Sequence, residues 1–95
     1  MPLSYRAAQN LIKRGDEPAL RTALENGLDP NLSNENGWTL LMLAAVEGSV
    51  PVGKLLLEHG ADATKQNAKG ATALAIANNR GFDLFVALLQ QHQGK

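Results

Sequence analysis

The chain has no cysteine, only four aromatic residues, no excess of charge and no long apolar run. Each absence removes a class of protein. Without cysteine there is no disulfide framework and no thiolate metal site. Small secreted domains usually depend on disulfides, so an intracellular, cytoplasmic location is expected. Lys and Arg number 9, Asp and Glu also 9, and the formal net charge is 0. A neutral chain lacks the footprint of a nucleic-acid binder and the polybasic segment that anionic membranes attract. No apolar run approaches the roughly 18–20 residues of a membrane span. The opening MPLSYRAAQN has no apolar core of the signal-peptide kind. Neither nucleic acid nor membrane is therefore expected as a partner. At 95 residues the chain is expected to form a single domain over 1–95.

What is present is a period. Gly15, Gly48 and Gly81 fall 33 residues apart, as do Gly27 and Gly60, Asp29 and Asp62, Gly37 and Gly70, and Thr39 and Thr72. A fixed period of this length marks a stacked helical array, in which each unit buries its apolar face against a neighbour. The units run over 1–33, 34–66 and 67–95, with no linker between them. In the middle unit Thr39 is placed to cap a helix, and Leu40, Leu41, Leu43, Ala44 and Ala45 follow. Gly48 suits the turn that ends it. Ser49 and Pro51 suit the start of a second helix, in which Val52, Leu55, Leu56 and Leu57 form the apolar stripe up to Gly60. Asn36-Gly37 is a hairpin-turn pair in the loop between units.

The stretch GWTLLMLAAVEGSVPVGKLLLEHGADATKQNAKGATAL closely resembles an ankyrin repeat running into the next one. The glycines, the threonines, the Leu55-Leu56 pair and Gly60-Ala61-Asp62 fall in register with that family's pattern. The resemblance covers essentially the whole chain and is weakest in the first unit. It implies an all-α solenoid of helix-turn-helix units joined by short β-hairpin-like loops. Two departures stand out. The family's Pro and His after the threonine are Leu40 and Met42 in one unit and Ala73 and Ala75 in the next. In the family that His and the Thr make a polar link that braces neighbouring repeats, so its loss is expected to cost some stability. The end units read as caps. Arg6 stands in the slot of Thr39, and Gln90, Gln91 and Gln93 replace Leu57, Glu58 and Gly60. Polar outer faces are what terminal repeats need, so the chain is expected to be a complete minimal array.

Catalytic and metal chemistry find little support. His59 and His92 occupy one slot in successive units. Units stacked roughly 10 Å apart keep two imidazoles from sharing one zinc, and no third ligand is evident. There is no Gly-x-Ser-x-Gly elbow, and Asp16-Glu17 beside Pro18 reads as helix capping. The glycines are dispersed at repeat spacing and form no phosphate loop. The expectation is a non-enzyme with no cofactor and no metal.

The aromatics point elsewhere. Phe85 aligns with Val52 as core, and Phe82 aligns with Ser49 at a turn. Trp38 and Tyr5 share the slot that, in ankyrin-like arrays, lies on the concave side near the hairpin tips. Two readings of Trp38 stand side by side: an exposed interface anchor, or a side chain packed on the next hairpin. Val46 follows Met42 by one helical turn, so Trp38, Met42 and Val46 would form an apolar stripe with Glu35, Asn36 and Glu47 on its rim. The alternative is that Met42 fills the gap left by the missing His. In the last unit Lys69 and Arg80 lie near the equivalent slots. The resemblance implies protein–protein recognition by an adaptor, scaffold or inhibitor. Hairpin tips and concave face would carry it through Trp38, Glu35, Asn36, Val46, Glu47, Lys69, Arg80 and Tyr5. A monomer is expected, with a self-associating homodimer as the rival and a small-ligand site the weaker one.

Overall fold

The computed structural model describes residues 3–93, with side chains through His92. Among these residues six helices follow one another: α1 (Tyr5–Arg14), α2 (Glu17–Glu25), α3 (Leu40–Glu47), α4 (Val50–Glu58), α5 (Ala73–Arg80) and α6 (Asp83–Gln93). No strand forms among the described residues. The loop after α2 is closed by a single antiparallel bridge between Ser33 and Thr39.

The helix starts follow the capping residues. The Thr39 hydroxyl accepts from the Met42 N–H at 3.2 Å, and the Thr72 hydroxyl from the Ala75 N–H at 3.1 Å. Asp16 accepts from the Ala19 N–H at 3.3 Å and so caps α2. Ser49 stands at the cap position of α4, but its hydroxyl makes no cap hydrogen bond. Pro51, in the first turn, removes one of the two N–H groups such a cap serves. In the first unit the cap moves. Ser4 accepts from the Ala7 N–H at 3.2 Å, so α1 starts two residues ahead of the slot at which α3 and α5 start. Each first helix ends on a glycine in the left-handed region: Gly15, Gly48 and Gly81, at φ 68, 69 and 74°. That geometry costs a residue with a Cβ about 1 kcal/mol or more.

The helices form two rows. α1 packs on α3 and α3 on α5, while α4 packs on α2 and α6. Small buried residues on the first row, Ala8, Ala44, Ala45 and Ala77, allow its close approach. Between the rows lies a continuous core that includes Ile12, Leu20, Leu40, Leu41, Leu55, Leu56 and Leu89.

Two phenylalanines lock the third unit to the second. Phe85 is fully buried and lies over Gly53, in the middle of α4. A Cβ at Gly53 would stand 2.6 Å from the Phe85 ring and 3.1 Å from Leu88. Phe82 lies over Gly48 in the same way, with its ring 2.9 Å from where a Cβ would be. In the third unit the slot of Gly53 is taken by Val86, which closes the notch. The slots of buried Ala45 and Leu57 carry exposed Asn78 and Gln90. Gln91 is exposed as well, and the side chain of Gln93 lies outside the described residues. Leu84, 77% exposed, is the apolar exception on this polar end.

Gly53 therefore makes an unusual prediction. Replacing a helix-interior glycine by alanine ordinarily stabilises by about 1 kcal/mol. Here Gly53→Ala is expected to destabilise by about 1–3 kcal/mol through overpacking against Phe85. Combining it with Phe85→Leu should give a loss smaller than the two single losses added. A urea double-mutant cycle measures this coupling; strict additivity would remove the contact from the account.

Candidate functional site

The loops between helix pairs are held by asparagine. The Asn34 side-chain oxygen accepts from the Asn36 and Trp38 N–H groups at 2.9 and 3.0 Å. One period later the Asn67 oxygen accepts from the Lys69 and Ala71 N–H groups at 2.9 and 3.0 Å. Backbone bonds close the same loops. Gly37 N–H donates to the Asn34 carbonyl at 3.0 Å and Gly70 N–H to the Asn67 carbonyl at 2.9 Å. Asn67 is only 7% exposed, so its bonds form where water competes poorly. These are Asx-type turns, in which a short polar side chain substitutes for a backbone acceptor.

Successive loops are also tied to each other. The Ala68 N–H donates to the Asn36 carbonyl at 2.9 Å. Gly37, at φ 78°, lets the backbones approach, since a Cβ there would stand 3.0 Å from the Asn67 Cα. Nearer the helices, Asn31 donates to the Gly60 carbonyl at 3.1 Å and accepts from the Asp62 N–H at 2.6 Å. Asp62 in turn accepts from the Thr64 hydroxyl and N–H at 2.6 and 2.9 Å. Those bonds hold its carboxyl below the usual carboxylate range.

Between the two tips lies a hollow of about 330 Å³ lined by Asn36, Trp38, Ala68 and Lys69. Trp38 is half-buried and packs against the hydrophobic core. It is thus both packed down and exposed on the side facing the next hairpin. Three of the expected interface residues, Trp38, Asn36 and Lys69, meet here. Glu35 is exposed on the same tip but outside the lining. Val46 is half-buried and Glu47 exposed in the last turn of α3, about 9 Å along the helix from its start. Arg80 is exposed at the end of α5.

The structure decides between the two readings of Met42 and corrects one expectation. The apolar stripe of Trp38, Met42 and Val46 does not form, because Met42 is only 1% exposed. Its sulfur accepts from the Thr39 N–H at 3.5 Å, while Thr39 accepts from the Met42 N–H. Met42 thus fills the place of the missing histidine and keeps a polar link to the threonine. Nor do Tyr5 and Trp38 form an exposed aromatic row. Tyr5 is the first residue of α1, whereas Trp38 lies in the extended approach to α3. The Tyr5 ring packs on the core, and among the described residues its buried hydroxyl has no hydrogen-bond partner. The earlier cap at Ser4 is the cause: it draws the Tyr5 slot into the helix.

The asparagine braces were within reach of the sequence. Asn34 and Asn67 are themselves one period apart, each three residues before the hairpin glycine. Asn31 had no such signal, since Thr64 stands in its slot one unit on. Elsewhere, His59 pairs its Nδ1 with the Leu55 carbonyl at 3.0 Å, and His92 is exposed. Among the described residues no three His, Cys, Asp or Glu side chains gather where they would hold a metal ion. A second hollow, of about 230 Å³ on α2 and α4, is lined by Glu17, Arg21, Pro51, Lys54, Leu55 and Glu58. Its charges are mixed, and Arg21 is already paired with Glu17. No helix among the described residues is long and apolar enough to cross a membrane.

A family model described as ankyrin repeats, in 3 copies, matches residues 5–95. No curated protein matches the chain.

Burial raises the Tyr5 phenol above its ordinary pKa of 10.0. A group whose folded pKa lies above its unfolded one contributes stability below the unfolded pKa and loses it as pH rises through the folded pKa. Stability should therefore fall above about pH 10, and Tyr5→Phe should reduce that fall. At pH 7 the same variant should be as stable as the parent or more so, because it deletes a buried hydroxyl with no partner. Urea unfolding of both proteins at pH 7 and at alkaline pH measures this.

Proposed function

We infer that this chain, which belongs to the ankyrin repeat family, is a recognition module that docks a partner protein on its hairpin tips. Ankyrin repeats are generally protein–protein interaction modules, and the family is typically non-enzymatic. The single observation that carries the reading is the hollow between successive tips, where Trp38, Asn36 and Lys69 come together. Asn34 and Asn67 hold the backbone on both sides of it. Binding to such a surface orders little that is not already ordered, which lowers the cost of association. A tryptophan with one face covered and the other open is the kind of residue that dominates interface energetics.

On this reading Glu35, Val46, Glu47 and Arg80 make up the surroundings of the anchor, and Tyr5 serves the fold. The three units act as one domain, a monomeric adaptor, scaffold or inhibitor. The cysteine-free composition suits a reducing, cytoplasmic setting.

Trp38→Ala is expected to leave helical circular dichroism unchanged and to lower the melting temperature by about 4–8 °C, the effect of about 1 kcal/mol in a domain of this size. Partners captured from a lysate by the parent chain should be retained at least about tenfold less well. Equal capture, with a melting temperature far below that range, would assign Trp38 to the scaffold.

A further inference from the structure

Charge is sorted between the two helix rows although the chain is neutral. The first helices, α1, α3 and α5, carry exposed Arg6, Lys13, Arg14 and Arg80 against Glu47, with Arg14 paired to Asp16 in the turn after α1. The second helices, α2, α4 and α6, carry Glu17, Glu25, Glu58 and Asp83 against Arg21 and Lys54. The hollow at the tips continues the first pattern. Lys69 is its one charged lining residue, beside the Trp38 indole and the Ala68 methyl. Among the described residues Lys69 makes no ion pair.

We propose that the partner presents to this face an acidic peptide segment with one apolar side chain, the apolar group seated on Trp38 and a neighbouring carboxylate on Lys69. The proposal rests on the recognition reading above and adds the chemistry of the partner. The apolar group covers the open side of the indole. The Asn36 amide, on the rim of the same hollow, is placed to bond the peptide backbone. Flanking carboxylates meet the cations at the two ends of the first-helix row, Lys13 and Arg14 in the first unit and Arg80 in the third, with Val46 and Glu47 in the slots between them. Helix pairs stacked about 10 Å apart spread three such slots over roughly 20 Å, the length of about six extended residues. A nucleic acid meets the same face less well. Phosphate binding draws on many cations at once, whereas a single lysine lines this hollow.

The test begins with random ten-residue peptides displayed against the full chain, followed by fluorescence anisotropy on those enriched. Enriched peptides should be rich in Asp and Glu around an apolar residue. Their binding should weaken about tenfold or more with Lys69→Glu and with Trp38→Ala, each checked by circular dichroism. It should also weaken several-fold as salt rises from about 50 to about 300 mM. Lys69→Ala should fall between parent and Lys69→Glu. Enrichment of neutral or basic peptides would overturn the acidic assignment while leaving protein recognition intact. So would acidic peptides indifferent to both substitutions. A single-stranded oligonucleotide that binds as tightly, with the same sensitivity to Lys69→Glu, would overturn it in favour of nucleic acid. If no peptide is enriched the proposal fails, and the Trp38-dependent capture of whole proteins still judges the broader reading.

Discussion

A helix pair of this chain has more apolar surface than its own two helices can cover. α3 buries Leu40, Leu41, Met42, Ala44 and Ala45, which lie on more than one side of a short helix. One side is met by α4, another by α1 and a third by α5. α4 has the same need, since Val52, Gly53, Leu55, Leu56 and Leu57 are all buried. Neither helix has the length to be stable alone. Stacking is thus the condition under which these segments fold at all. The contact between the second and third units shows it most sharply, where Phe85 enters the space that Gly53 leaves by lacking a side chain.

Stacking at a fixed spacing also brings the loops within reach of one another. Each loop is first closed on itself by an asparagine, whose side-chain oxygen accepts from two N–H groups of the same loop. It is then joined to the next through Asn36 and Ala68. The rigidity of the helices is carried in this way out to the tips. Trp38 gains its half-covered position from that arrangement, and the hollow beside it exists because the next tip stands at a set distance. The candidate site and the fold therefore have one physical origin, and recognition chemistry is confined to a few side chains that stacking does not use.

Much of this was legible in the sequence because the period supplies internal comparison. Thr39 and Thr72 were readable as caps, Gly48 as a turn, Phe85 as core and Asp16 as a cap before α2. Where the comparison was imperfect the reading failed in identifiable ways. Tyr5 and Trp38 share a slot, yet Ser4 moves the start of α1 and changes the backbone beneath Tyr5. Met42 allowed two readings by spacing, a surface stripe or a filler for the missing imidazole, and its burial with the Thr39 N–H on its sulfur selects the second. Gly53 carried no signal in the sequence, because the need for a missing Cβ lies in the ring of the following unit. The charge separation between rows was equally hidden. It depends on knowing which helices share a layer, and the neutral total conceals it.

The most direct test of this account is to end the chain at residue 66 and follow its thermal unfolding by circular dichroism. That chain keeps every residue of α1 through α4 and loses the cover that Phe85 gives Gly53 and that α5 gives α3. If stacking is the condition for folding, the shortened chain should show low helicity at 25 °C and a broad, non-cooperative melt. A sharp transition with the full helicity of the four remaining helices would show that two units suffice, and would contradict it.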